Sequence, residues 1–340
     1  MLTKTQTFQT LAFLCALLIF VLINLCQFKD GSDIIFKDDT NKTKTPQRKL
    51  LLFIAIFSSH TYKHRRDMLR KTWCKLCMKH QLCEYRFILD GLGLDRKPLP
   101  SAVLNQIRNE LRYTNDMAIL ASPIGLNFAL RFYKALKYAS QVFEFEYFLR
   151  LDDDQYLCLD RLMYELPSRP RESLFWGYAH CTPIPRIDEA FIILTNDVVF
   201  KILTNENIHC SPFGTEAISS WIYNLSDEGP LVTWYTDNFR IMHTPPFERS
   251  AHLRQVNICH AFISLHGIWR ENIMVPLHER IIRENTEDYE IPDIHHLCPA
   301  NNKRISLDEL DKHGKVQRCI DAPVYKHNNG KPYIGREAAT

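Results

Sequence analysis

Apolar residues fall into blocks of different lengths along this chain, and block length is the first guide to its elements. Phe8 to Phe28 is mainly apolar, with no charged residue between Lys4 and Lys29. About 20 such residues cross a bilayer as a helix. A secretory signal peptide has a shorter apolar core and ends in small residues at a cleavage site. This run is longer and ends Asn24-Leu25-Cys26-Gln27-Phe28. The pattern predicts an uncleaved transmembrane signal anchor over 8–28, behind a cytoplasmic tail of residues 1–7. Residues 29–48 are polar and read as a solvated stem.

From residue 49 the pattern changes. Leu50 to Phe57 is a continuous apolar run closed by Ser58 and Ser59, as expected of a strand buried on both faces. Tyr85–Leu89 and Tyr147–Leu151 read as further buried strands, and helices are predicted over His60–Trp73, Ser101–Tyr113 and Leu126–Ala139. Leu174–Tyr178, Ala190–Thr195 and Leu231–Tyr235 are later strand candidates. Strands alternating with helices predict an α/β domain with a largely parallel sheet over 49–280. Residues 281–340 turn polar and irregular, a C-terminal extension either packed and tied through Cys298 and Cys319 or loose.

Composition narrows the class. The 340 residues are 46% hydrophobic and 24% charged, which excludes a disordered chain. A net charge of +3, with no basic tract, argues against a nucleic-acid partner. Lys and Arg hardly differ between the two flanks of the apolar segment, so they leave its orientation open. The sequons Asn41-Lys42-Thr43 and Asn224-Leu225-Ser226 favour a lumenal main portion. Cys15 and Cys26 lie in the predicted anchor, leaving nine cysteines. Their scattered spacing suggests disulfides, with at least one left unpaired within the chain because nine is odd. Plain thiols are the alternative. A zinc site at Cys74-x-x-Cys77 is a weaker one, because zinc ligands come as four and there is no second such pair.

The candidate chemistry begins at Asp152-Asp153-Asp154, directly after a predicted buried strand. In open α/β sheets ligands bind beyond the carboxyl ends of strands. Strand alternation puts Asp152 and Asp154 on one side and Asp153 on the other. Two carboxylates on one side suit a hard divalent cation, which can neutralise a diphosphate leaving group. The plainer alternative is a solvated acidic turn.

The stretch FLRLDDDQYLCLDRLMYEL resembles the metal-site segment of the Golgi β-1,3-galactosyltransferase and β-1,3-N-acetylglucosaminyltransferase family. Arg65 to Trp73, RRDMLRKTW, is similar to that family's arginine-rich segment. Glu110, Tyr113 and Asp116, then Asn127 with Arg131, Trp176-Gly177, Ile193-Leu194-Thr195 and Ile263-Ser264-Leu265-His266 follow in the family's order, over residues 50–275. The resemblance implies a Rossmann-like GT-A domain in the Golgi lumen behind a single-pass type II membrane anchor. It implies a UDP-sugar donor, a glycan or glycoprotein acceptor, and Mn²⁺. Asp154 and His266 would hold the metal, and Asp152 the metal or nucleotide. Arg65, Arg70 and Asp153 would contact the nucleotide sugar.

Two departures from the family's pattern stand out. Asp188-Glu189-Ala190-Phe191 replaces a glycine-rich stretch, so side chains would crowd the place where donor and acceptor approach. An acidic pair that supplies the family's base is matched by Gly214-Thr215-Glu216-Ala217-Ile218, where one acid has become Ala217. Glu216 is then the candidate general base, with Asp237 second. The expected activity is inverting β-1,3 transfer of galactose, or in second place N-acetylglucosamine. The alternatives are a UDP-sugar-binding or chaperone-like relative without turnover, and a membrane-anchored structural protein whose resemblance is accidental.

Overall fold

The computed structural model describes residues 35–36, 48–125, 127–182, 185–206, 208–210, 214–228, 232–242, 257–281, 293–298 and 317–319. The first half runs β1 (Ile35–Phe36), β2 (Lys49–Phe57), α1 (Lys63–Lys71), α2 (Cys74–Lys79), β3 (Cys83–Leu92), α3 (Ser101–Thr114), β4 (Met117–Pro123), α4 (Phe128–Val142) and β5 (Glu144–Asp152). There follow β6 (Tyr156–Leu157), α5 (Leu159–Glu165), β7 (Leu174–His180), β8 (Arg186–Thr195), α6 (Asn196–Thr204), β9 (His209–Cys210), α7 (Gly214–Glu228) and β10 (Thr233–Thr236). The chain closes with β11 (Ile241–Met242), α8 (Ile258–Ala261), β12 (Ser264–Leu265), α9 (Glu271–Glu279), α10 (Ile294–Leu297) and β13 (Gln317–Arg318).

Eight strands make the main sheet, in the order β1-β4-β3-β2-β5-β8-β7-β10. β1 to β5 are mutually parallel where they pair, β8 runs antiparallel between β5 and β7, and β10 is parallel to β7. The fold is therefore mixed α/β with a parallel-rich central sheet, as expected of a Rossmann-like arrangement. β2 explains its own sequence. Leu52, Ile54 and Ile56 pack against Met68, Leu69 and Trp73 on one face. Phe53, Ala55 and Phe57 pack against Phe132, Leu136 and Trp221 on the other. With helices on both faces there is no solvated side, and the strand reads as one apolar run.

The topology also fixes where a ligand can sit. From β2 the chain adds β3 and then β4 on one side, and returns to place β5 on the other. Where strand order reverses, the connections leave in opposite directions and open a crevice beyond the carboxyl ends. Ser58 follows β2 and Asp153 follows β5, so both stand at that crevice.

Several expectations change. β4 lies between two predicted helices and was absent from the reading; the preceding helix stops at Asn115, a left-handed residue with φ 49°, and a short apolar run follows. The helix predicted over 60–73 forms over Lys63–Lys71, and a second short helix, Cys74–Lys79, follows beyond its predicted end. Ile35 and Phe36, placed in a solvated stem, pair with β4 and Ile35 is buried. The predicted tail and anchor, residues 1–28, and the Asn41 sequon lie outside the described residues. Among those described, no helix is long and apolar enough to cross a membrane.

The nine cysteines outside the apolar segment resolve into four disulfides, Cys77–Cys83, Cys158–Cys259, Cys181–Cys298 and Cys210–Cys319, with Cys74 free and buried. Cys77 is thereby removed from any zinc or redox pairing with Cys74. Both alternatives for the C-terminal extension can also be decided for the parts described. Ile294, Cys298 and Cys319 join the core beneath α7, and β13 pairs with β9. These described pieces of the predicted extension thus pack against the same core as the sheet. Cys210 and Cys319 are 109 residues apart, and closing a loop of that length stabilises a fold by roughly 3–5 kcal/mol. Replacing both by serine should lower the urea-unfolding free energy by about that amount, which equilibrium denaturation of the two proteins measures directly.

Candidate functional site

β5 carries Asp152 to the crevice, and a turn brings Asp153 and Asp154 after it. Asp153 faces back towards β2. Its backbone N–H donates to Phe57 O (3.1 Å), and its carboxylate accepts from Ser58 Oγ (2.6 Å) and Arg65 Nη1 (3.1 Å). Burial pushes this carboxyl up to about 7, against the pull of Arg65 and Ser58.

Asp152 and Asp154 face the other way, together with His266. One ligand atom from each lies within 4.8 Å of the others, a group that could hold a metal ion. His266 Nε2 is 3.2 Å from Asp154 Oδ1 and 3.8 Å from Asp152 Oδ2. Arg150 Nη2 pairs with Asp152 Oδ1 at 2.9 Å. Burial raises the Asp152 carboxyl above its ordinary range in spite of Arg150. Burial opposes ionisation of Asp154 too, but His266 and Arg65 outweigh it and hold that carboxyl below the ordinary range. Asp154 Oδ1 is buried and has no aligned hydrogen-bond donor. Such an acceptor is costly unless something positive completes it. Two carboxylates and an imidazole around an incomplete oxygen fit a divalent cation.

His266 is 112 residues beyond Asp154, and short-range devices put it there. β12 lies between β6, to which it is antiparallel, and β11, to which it is parallel. His266 N donates to Met242 O (3.0 Å), and Ile268 N donates to Asp154 O (2.7 Å). Gly267 between them has φ 82°, a left-handed conformation that a side chain would resist. Gln155 ties the neighbourhood together. It donates to Ala190 O, accepts from Ser264 Oγ, and its backbone carbonyl accepts from Trp73 Nε1. The Cys158–Cys259 disulfide closes the same corner covalently.

The predicted arginines separate. Arg65 belongs to the site, pairing with Asp153, lying 3.8 Å from Asp154 Oδ2, and stacking over the Tyr62 ring at 4.1 Å. Arg70 does not reach it. Its guanidinium is committed to Asp116 (2.7 and 2.8 Å), Asp67 (2.8 Å) and Glu110 (2.8 Å), an ion-pair web that fastens α1 to α3. The guanidinium expected to contact a nucleotide is thus engaged with three carboxylates of the fold. Arg66 and Arg150 were missed. Arg66 joins Glu110 to Ser58, and Arg150 pairs with Asp152.

The candidate bases also change. Asp237 is fully buried, and its carboxylate is engaged by Arg240 (2.7 and 3.1 Å) and by Trp176 Nε1 (3.3 Å). Ala217 packs in the apolar core beneath the sheet. Glu216 lies half-buried in the first turn of α7, with no contact placing it at Asp152. The crowding expected from residues 188 and 189 is relieved. Asp188 turns to His180, with its Oδ2 2.8 Å from Nε2. Glu189 reaches across to α7, where a Cβ built on Gly214 would collide with its Oε2; the glycine makes the room. Burial pushes the Glu189 carboxyl up to about 7, opposed by Arg150 and reinforced by Asp188 and Asp152. Two acids inside an otherwise apolar strand were the sequence signal for this position.

No family model matches the chain, and no curated protein matches it. Among solved structures, the inositol-1-phosphate CTP transferase from T. maritima is similar at 9% identity and a TM-score of 0.33, over 71% of this chain and 100% of that one. A likeness at that level carries no argument about activity, and the site rests on its own geometry.

Glu189 makes a pH-dependent contribution whose sign follows from the shift. Its folded-state carboxyl holds a proton up to about 7, whereas the unfolded chain releases it at the ordinary value of 4.5. Stability is therefore lost as pH rises between those values. Glu189→Gln should be more stable than the parent by about 1–3 kcal/mol at pH 8, and indistinguishable at pH 4, by urea unfolding of the metal-free proteins.

Proposed function

We propose that this protein is a metal-dependent inverting β-1,3-glycosyltransferase that moves galactose from a UDP-sugar to a glycan or glycoprotein acceptor. The observation that carries this reading is the meeting of Asp152, Asp154 and His266 at the reversal of strand order, with Asp154 Oδ1 left incomplete. The motif order described above supplies the reaction class and the family. N-acetylglucosamine is the second choice of sugar, because a few pocket contacts decide between the two.

In this reading Asp152, Asp154 and His266 hold Mn²⁺, which when bound supplies positive charge against the diphosphate leaving group. Asp153 fixes Arg65, and Arg65 presents a second, permanent cation on the same side. An acceptor hydroxyl attacks the anomeric carbon from the face opposite UDP, so an α-linked donor gives a β-linked product. A carboxylate must take the hydroxyl proton. Four disulfides fit an oxidising compartment, and with the apolar segment over 8–28 and the sequons they support a type II protein of the Golgi membrane. Ala217 favours a second reading, a relative that binds UDP-sugar without turnover.

The test uses the full-length chain in detergent. UDP release is followed from UDP-galactose and UDP-N-acetylglucosamine, with Mn²⁺ or chelator, over a panel of acceptor glycosides. Mn²⁺-dependent release from one donor, raised by an acceptor, is expected. Asp154→Ala and His266→Ala should each weaken Mn²⁺-dependent UDP binding by at least about tenfold. UDP binding that ignores Mn²⁺ would sink the metal reading, and tight Mn²⁺-dependent binding without transfer would favour the second one.

A further inference from the structure

Beside the proposed metal ligands lie Arg150 and Glu189, part of whose hydrogen-bonding capacity is unused among the described residues. The Arg150 side chain is 5% exposed. One of its nitrogens pairs with Asp152, and its guanidinium lies over the Phe57 ring at 4.9 Å. Its Nη1 is buried with no hydrogen-bond partner. In the β5–β8 register Arg150 pairs with Ile192 and Leu151 with Phe191, so Glu189, two residues before Phe191, stands beside the end of β5; its carboxylate lies against Gly214 and makes no hydrogen bond or ion pair with a described residue. A buried donor left unmade is costly, and more so when the group is charged. Folded proteins keep such groups where a ligand completes them.

A donor and an acceptor left open on neighbouring strands at the end of the β5–β8 pairing call for a group that both accepts and donates. A hydroxyl does so, and sugars are rich in hydroxyls. The other acids near Asp152 are occupied: Asp154 belongs to the metal group, and Asp188 is bonded to His180. Gly214 keeps the space of the Glu189 carboxylate open.

We propose that Glu189 is the proton acceptor for the attacking sugar hydroxyl, with Arg150 Nη1 holding that hydroxyl's oxygen. This inference rests on the glycosyltransferase reading above and deepens it. The hydroxyl O–H bond breaks and its proton passes to Glu189. The oxygen forms its bond to the anomeric carbon as the bond from that carbon to UDP breaks, and the bonding pair leaves on the UDP phosphate oxygen. Glu189 then returns the proton to solvent. The residue substituted for the family's glycines would thus replace the acid lost at Ala217.

The experiment compares the full-length parent with Glu189→Gln, Glu189→Asp, Gly214→Ala and Glu216→Gln, measuring transfer kinetics and Mn²⁺-dependent UDP binding. Glu189→Gln should lower kcat by about 100-fold or more while KM for the donor and UDP affinity stay within about twofold. Glu189→Asp should fall between. Gly214→Ala keeps the carboxylate but displaces it, so kcat should drop with UDP binding retained. UDP binding reports that each variant is folded. A Glu189→Gln protein with kcat within about threefold of the parent overturns the inference, as does loss of UDP binding in parallel with activity, or a collapse confined to Glu216→Gln. Failure of the parent itself to transfer either sugar overturns the glycosyltransferase reading, and this inference with it. Parent activity with an indifferent Glu189→Gln overturns this inference alone.

Discussion

The clamp on Asp153 is the constraint from which the site follows. Its carboxylate is buried where β2 and β5 end, a place that favours the neutral acid. Ser58 from the end of β2 and Arg65 from α1 both donate to it, so three segments are joined by one group. With Asp153 turned inward, its neighbours on either side face outward. The alternation that began in β5 then carries past its last residue, and Asp152 and Asp154 point together. Arg65, fixed by the inward acid, lies within 4 Å of the outward one. A carboxylate that is not a metal ligand thus orients one that is placed to be.

Buried charge elsewhere in the molecule is handled differently, and the contrast separates scaffold from site. Arg66 and Arg70 meet Glu110 and Asp116 through several short bonds. Arg240 meets Asp237 and Glu165 in the same manner. In these webs Glu110, Asp116 and Glu165 are pulled upward by burial but held down by guanidinium partners, and all three end below their ordinary range. Around Asp152 the balance is left incomplete: among the described residues Asp154 Oδ1 has only the His266 ring beside it, with no aligned hydrogen bond, and Arg150 Nη1 has no acceptor. Satisfied networks rigidify a fold, whereas unsatisfied groups at a strand-order reversal mark where a ligand does the satisfying.

What could be read in advance divides along the range of the interaction. The strands were legible because burial on both faces writes itself into consecutive residues, as in Leu50 to Phe57. The pairing of Asp152 with Asp154 was legible because strand alternation is local. His266 entered only through the order of motifs, since no local pattern announces a partner 112 residues away. The ion pairs of Arg70 were illegible for the same reason. Its partner Asp116 is 46 residues away, and an arginine beside the site in sequence looks alike whether it faces a phosphate or a carboxylate. Glu189 was read as an obstruction because its accommodation depends on Gly214, and no spacing rule pairs a strand residue with a helix residue 25 positions on.

The His266 corner shows how little regular structure a site needs if its closure is covalent. β6, β11 and β12 are two residues each, far short of a sheet that would stand alone. The Cys158–Cys259 bridge spans 101 residues and removes most of the chain freedom that would otherwise let the segment swing away. Gly267 then turns the chain, and Ile268 seals it to the Asp154 carbonyl. Geometry around the proposed metal is thus inherited from the disulfide and the turn, before any cation arrives. The two carboxylates it gathers are kept apart in ionisation, one raised by burial and one lowered by His266 and Arg65. A cation bound there would relieve the mutual repulsion of the pair and complete the coordination of Asp154 Oδ1, which has only the His266 ring beside it. It would therefore add to the stability of the very corner that the disulfide holds in place.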